Sequence, residues 1–182
     1  KLKHIFLRQG KDELISTSGN HLCGLLVRNL SQSTLPKDFT SKRSGAICDR
    51  DILMTQIGLL CNARTDFNDV DLYREDRLFT HAFGIGRLPS EAIFRQRLDE
   101  MPHRRCHTAL RELNLGFLKT RKLGGVDAGG TNLVPVDVDV SPLDNSGSRK
   151  AGVSFTYKGH DGYAPIFAYI GTEGYMLDTE LR

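Results

Sequence analysis

Asp137 and Asp139 are the residues of this chain whose type and spacing most readily imply chemistry. They lie in Val134-Pro-Val-Asp-Val-Asp-Val-Ser141, interleaved with Val134, Val136, Val138 and Val140. Side chains along a strand alternate between its faces, so the valines share one face and the carboxylates the other, ~6–7 Å apart at ~3.3 Å rise per residue. β-branched residues at period two predict a strand whose valine face packs in a core. Two neighbouring carboxylates need compensation, and a divalent cation such as Mg²⁺ or Mn²⁺ is the usual one. Such a strand can carry the first acidic ligand of a metal-dependent phosphoryl-transfer site, with Asp139 and Asp137 as metal ligands. The plainer reading is an edge strand whose aspartates face water.

Three other groupings carry weaker signals. His103, Cys106 and His107 fall at i, i+3 and i+4, which on a helix gathers three metal-ligating side chains. A structural zinc needs a fourth ligand, no suitable pair lies nearby, and Cys106 also belongs to an apolar stripe with Leu110, Leu113 and Phe117. Asp66-Phe-Asn-Asp-Val-Asp71 collects three acids but lacks the Gly and terminal Glu of a calcium loop, so it reads as a capped helix start. Asp127-Ala-Gly-Gly-Thr131 resembles the phosphate loop of actin-like-fold sugar kinases, where glycines let backbone amides approach phosphate. Thr120-Arg-Lys-Leu-Gly-Gly125 before it is not the expected apolar strand. The run 124–131 is therefore read as a Gly-rich linker, and the kinase is the lesser alternative.

Basic residues are the fourth grouping. Residues 94–122 hold eight Lys and Arg against three acids. Arg95, Arg97, Arg104, Arg105, Lys119, Arg121 and Lys122 are candidate phosphate contacts on DNA; Arg97 also reads as a structural anchor. Tyr157, Lys158 and Tyr163 are candidates for lining a DNA path, against the plainer reading of tyrosines that pack with a polar handle.

The elements that must hold these residues follow from periodicity. A short strand is expected over 3–9 and a helix over about 19–30, then a Ser/Thr/Lys/Pro loop to Gly45. A helix from Asp49 or Asp51 to about Asn62 is apolar nearly all round and predicts the buried centre of a helical domain. Short helices follow over 66–73 and 75–83, the latter closed by Gly84. Ser90 caps a helix to Met101, Pro102 ends it, and another helix spans His103 to about Lys122. Beyond the linker, 163–170 and 175–181 read as a hairpin across Gly171-Thr-Glu-Gly174, with a polar turn region over 144–152.

Bulk properties bound the class. At 182 residues, 39% hydrophobic and 26% charged, the chain is of globular type and holds one ordinary domain or a small domain and part of another. No apolar run of about 18 residues predicts a membrane span. Lys1-Leu-Lys-His does not open a secretory signal, so a cytoplasmic setting is expected. Cys23, Cys48, Cys61 and Cys106 show no Cys-x-x-Cys spacing and are expected as reduced, buried thiols. Residues 1–123 carry 21 Lys and Arg against 14 acids, whereas 124–182 carry 4 against 8. A basic front half and an acidic rear half suit a DNA-gripping region joined to a carboxylate site.

The order of motifs resembles one family. Asp137-Val-Asp-Val-Ser141, then Gly162-Tyr-Ala-Pro-Ile-Phe167, then a third strand ending in Leu181-Arg182 is similar to the opening of the catalytic domain of DDE transposases from bacterial insertion sequences. Arg87-Leu-Pro-Ser-Glu-Ala-Ile-Phe-Arg-Gln-Arg-Leu98 resembles the helix preceding that domain. Ser141 stands where the family usually has Thr. The resemblance implies an α+β chain: a helical, DNA-binding domain over 1–123, the linker 124–131, and over 132–182 the first strands of an incomplete RNase H-like mixed sheet. It implies a nucleoid-associated enzyme that cuts transposon ends and joins them to target DNA with Mg²⁺ or Mn²⁺, acting on double-stranded DNA with a homodimer as candidate assembly. Asp139 takes the catalytic position by its place before Val-Ser. The family's second Asp and its Glu lie beyond the third strand and are not within residues 1–182. This chain alone is therefore expected to be inactive, and a non-catalytic DNA-binding or structural fragment of a decayed transposase is the alternative.

Overall fold

The computed structural model describes residues 18–34 and 47–181. The strand expected over 3–9 and most of the loop expected up to Gly45 lie outside the described residues. The chain is α+β, and its described residues divide into two compact units, 18–29 with 47–101 and 30–34 with 102–181.

The first unit is helical. Helix α1 spans Gly19–Thr34, running beyond the expected end near residue 30, and α2 spans Asp49–Cys61. A 3₁₀ segment over Phe67–Tyr73 leads to α3, Arg77–Phe83, and α4, Glu91–Glu100. Helix α2 is the buried centre that its all-round apolarity predicts: Ile52, Met54 and Leu59 are buried, as are Phe79 and Phe83 of α3 and Phe94 of α4. Tyr73 stacks on Phe79 at 4.2 Å, and Gly58 makes room for the Phe79 ring, which a Cβ there would meet at 2.7 Å. Ser90 and Gly84 cap as expected, while the helix expected from Glu75 begins at Arg77 with Asp76 as its cap. Asp76 Oδ1 accepts from the Phe79 amide at 2.9 Å, and Ser90 Oγ accepts from the Ile93 amide. Gly84, at φ 63°, ends α3 in a left-handed turn closed by Ile85 N–H donating to Thr80 O. Two buried acids at the start of α2 tie the unit together. Asp51 accepts from the amides of Gly86 and Arg87, and Asp49 pairs with Arg97 of α4.

The second unit joins one helix to strands. Helix α5 spans His103–Leu118. The boundary expected at 124–131 is therefore displaced: α5 groups with the strands, and the unit begins at Pro102. The expected linker is ordered as a hairpin of β1, Val126–Ala128, and β2, Thr131–Leu133. Gly129 and Gly130, both at positive φ, make its two-residue turn, the standard glycine use in a tight hairpin. Gly124 is held as well, its N–H donating to the Glu173 carboxylate at 3.0 Å.

Strand β3, Val136–Val140, pairs antiparallel with β7, Ile166–Ile170, which pairs antiparallel with β8, Tyr175–Glu180. The β7–β8 hairpin turns across Gly171–Gly174 as expected. Between β3 and β7 the expected polar turn is a second small sheet, β4 (Leu143–Asp144), β6 (Asp161–Tyr163) and β5 (Ser154–Phe155), in that spatial order. Gly162 is required at its centre, because a Cβ there would collide with the Leu143 carbonyl.

Helix α5 packs on β8. Arg111 pairs with Asp178 at 3.1 Å, His107 Nε2 donates to Thr179 O at 3.0 Å, and Phe117 meets Tyr175 edge-on. A bulge in the β7–β8 ladder leaves Leu177 without a register partner; Asn114 Nδ2 donates to the carbonyls of Met176 and Leu177 there.

Candidate functional site

The strand predicted over 134–140 is present, and its register fixes the faces. Asp139 lies opposite Phe167 and Asp137 opposite Tyr169, while Val136, Val138 and Val140 lie opposite Ile170, Ala168 and Ile166. Cross-strand partners share a face, so both carboxylates stand with Phe167 and Tyr169 on the side away from the valines. Both aspartates are exposed.

The valine face departs from expectation. Its alternation predicts packing in a core, yet Val136 is 56% and Val138 61% exposed. The reason is the position of α5. Asp178, which Arg111 holds, pairs in register with Ala168 and so sits on the valine side of the sheet. β3 is two strands away from β8, roughly 9–10 Å, beyond the reach of one helix centred on β8.

The predicted basic contacts fall into different surroundings. Arg97 is engaged: its guanidinium bonds the Asp49 carboxylate, both side chains are largely buried, and it acts as a structural anchor. Arg95 is exposed but pairs with Glu91 at 3.2 Å and lies over the Phe67 ring. Both belong to the first unit. In the second, Arg104 is exposed at the start of α5 and Arg105 is half-buried beside it. Lys119, Arg121 and Lys122 are exposed just past its end, with Arg121 over the Phe117 ring. At ~1.5 Å rise per residue, Arg104 and Lys119 are roughly 22 Å apart along the helix. The basic residues thus form two small groups at opposite ends of α5.

The weaker motifs resolve into structural roles. Asp127 Oδ1 accepts from the Gly130 amide at 2.8 Å, so the carboxylate of the kinase-like loop caps its own hairpin turn. No three His, Cys, Asp or Glu side chains converge as a metal site among the described residues. Burial pushes the Cys106 thiol up. His107 uses its ring on Thr179 O. Cys23 and Cys61 are exposed, against the expectation of buried thiols; Cys48 and Cys106 are half-buried.

Sequence reasoning missed the β4–β6–β5 sheet beside the end of β3. Thr156 is buried there, its hydroxyl donating to His160 O at 2.8 Å, and His160 Nδ1 lies 3.9 Å from Asp144. Thr, His and Asp together invite comparison with a nucleophile relay. The geometry is not one, because Thr156 and Asp144 both face the same ring nitrogen and the hydroxyl proton is committed to a backbone carbonyl. Hydrogen bonds from the Ser146 hydroxyl and amide hold the Asp144 carboxyl below the usual carboxylate range.

No helix among the described residues is long and apolar enough to cross a membrane. No protein-family model, no curated protein and no solved structure matches this chain.

Proposed function

We propose that the chain is the DNA-contacting and sheet-opening part of a metal-dependent DNA transposase of the DDE class. One observation carries the reading: two carboxylates, Asp137 and Asp139, alternate on one exposed face of a strand that opens an antiparallel three-stranded sheet in the order β3-β7-β8. The resemblance implies an acidic first strand followed by a second and a third, and this sheet is in keeping with that. Exposed Val136 and Val138 support it further, since an apolar face left open beside an edge strand suits a sheet that other elements complete.

In this reading Asp139 binds the divalent ion and Asp137 tunes the same site. The chemistry is in-line attack of water or a 3′-hydroxyl on a phosphodiester, with Mg²⁺ or Mn²⁺ activating the nucleophile and stabilising the leaving oxygen. Two carboxylates on one strand cannot surround an octahedral ion. The remaining ligands are supplied from outside residues 1–182, and this chain alone does not cleave. Arg104 at one end of α5 and Lys119, Arg121 and Lys122 at the other bind duplex phosphates.

Fluorescence anisotropy with labelled duplex DNA at several salt concentrations tests the DNA arm. Affinity falls steeply with salt. Combining Arg104→Ala with Lys119→Ala and Lys122→Ala flattens the slope by about one for each phosphate that is no longer neutralised. Absence of binding at low salt contradicts the proposal.

A further inference from the structure

The proposed function leaves unused the most exposed aromatic side chains of the second unit. Phe155 is 74% and Tyr157 68% exposed, while Thr156 between them is buried. The buried residue is what fixes the other two. Its N–H and hydroxyl both donate to His160 O, and Gly159 N–H donates to Thr156 O, closing a tight turn over 156–159. Tyr157 reaches back from that turn, its hydroxyl donating to Val140 O at 3.2 Å, one residue beyond Asp139. Tyr163 OH, bonded to Ala151 O at 2.6 Å, pins the strand that carries the preceding loop. Two aromatic rings are therefore held out toward solvent on a braced hairpin at the end of the acidic strand.

Charge separates this hairpin from its surroundings. Residues 124–182 hold four Lys and Arg against eight acids, yet 145–160 contain Arg149, Lys150 and Lys158 and no acid. All three are exposed, and Lys158 Nζ lies 5.4 Å from the centre of the Tyr157 ring. Flat apolar rings interleaved with cations, in an otherwise acidic half, match a strand that presents bare base faces and phosphates together. A stacked duplex offers only phosphates to such a surface, and an apolar peptide makes no use of the cations.

We infer that Phe155 and Tyr157, with Lys158, Arg149 and Lys150, form a stacking site for unpaired nucleotides of a DNA strand beside Asp139. The site rests on the proposed function for its place next to a reacting phosphodiester. It would hold a strand that has left its duplex partner, the bases on the rings and the phosphates on the cations.

The chain contains no Trp, so Phe155→Trp in the whole 182-residue chain creates a single fluorescent reporter at an exposed position. It is titrated with a twelve-residue oligothymidylate, an abasic strand of equal length and charge, and a blunt duplex. The expected result is quenching by oligothymidylate, with the abasic strand binding at least about fivefold more weakly. In the background that keeps Phe155, anisotropy should show Tyr157→Ala losing roughly 5- to 150-fold in oligothymidylate affinity. Tyr157→Phe, which keeps the ring and loses only the bond to Val140 O, should retain affinity, and duplex binding should stay within about twofold in both variants. Equal titration by the abasic strand and oligothymidylate, or strand binding that leaves the indole fluorescence of F155W unchanged, overturns the stacking site. If salt-sensitive duplex binding persists in that case, the proposed function stands without it. Failure of every DNA to bind overturns both.

Discussion

The two units of this chain use apolar residues in opposite ways. In the first, residues 47–101 bury Ile52, Leu53, Met54, Leu59, Val70, Phe79, Phe83 and Phe94 around α2, and even the acids Asp49 and Asp51 are buried with partners. In the second, the buried apolar residues among those described include Ala109 and Leu113 of α5, while Val136, Val138, Leu143, Phe155 and Tyr157 stand exposed. Leu22, Leu60 and Leu72 of the first unit are exposed too, but around α2 the helices close on one another. A three-stranded sheet covered along one strand does not; the candidate ligands sit on its open face, and the stacking residues on the small β4-β6-β5 sheet beside it. The first unit reads as scaffold, and the second as the surface on which chemistry and recognition depend.

That contrast orders the expected effects of mutation. The largest belongs to the scaffold: Phe79→Ala should cost about 3–5 kcal/mol in urea unfolding, because it removes a buried ring and leaves a cavity against Gly58 and Tyr73. Arg97→Ala should cost about 3 kcal/mol, since it removes the ion pair of the buried Asp49 carboxylate, and Arg97→Lys should recover only part of that loss. Ser90→Ala should cost about 1 kcal/mol by removing the α4 cap. The smallest effects belong to the second unit. Val138→Ala should change stability by less than about 0.5 kcal/mol, as should Arg111→Ala at the partly exposed pair with Asp178. A loss at Val138 comparable to that at Phe79 would show that the valine face is covered in solution.

Much of the fold was legible because local rules and packing agree. Ser90 and Gly84 sit where capping chemistry puts helix ends, and α2 buries Ile52, Leu53, Met54 and Leu59 although Leu60 is exposed. The alternation at 136–140 specified a strand with both aspartates on one face, and the register agrees. What was illegible has physical causes. Strands of two or three residues, such as 143–144 and 154–155, are too short to show a period. Gly129-Gly130 serves equally as a linker and as a hairpin turn, and only pairing in space decides. The exposure of Val136 and Val138 depends on where α5 lands, which alternation does not encode. Arg97 and Arg104 look alike in sequence; their difference lies in Asp49, far away in the chain.

Whether Asp139 is a divalent-metal ligand can be read on this chain from paramagnetic broadening of backbone amide signals by Mn²⁺. Weak, saturable broadening is expected, centred on Val138 to Val140 and on Phe167, the cross-strand partner of Asp139. Asp139→Asn should abolish it, and Asp137→Asn should reduce it less. Broadening absent from β3, or unchanged in Asp139→Asn, would show that Asp139 is not a metal ligand.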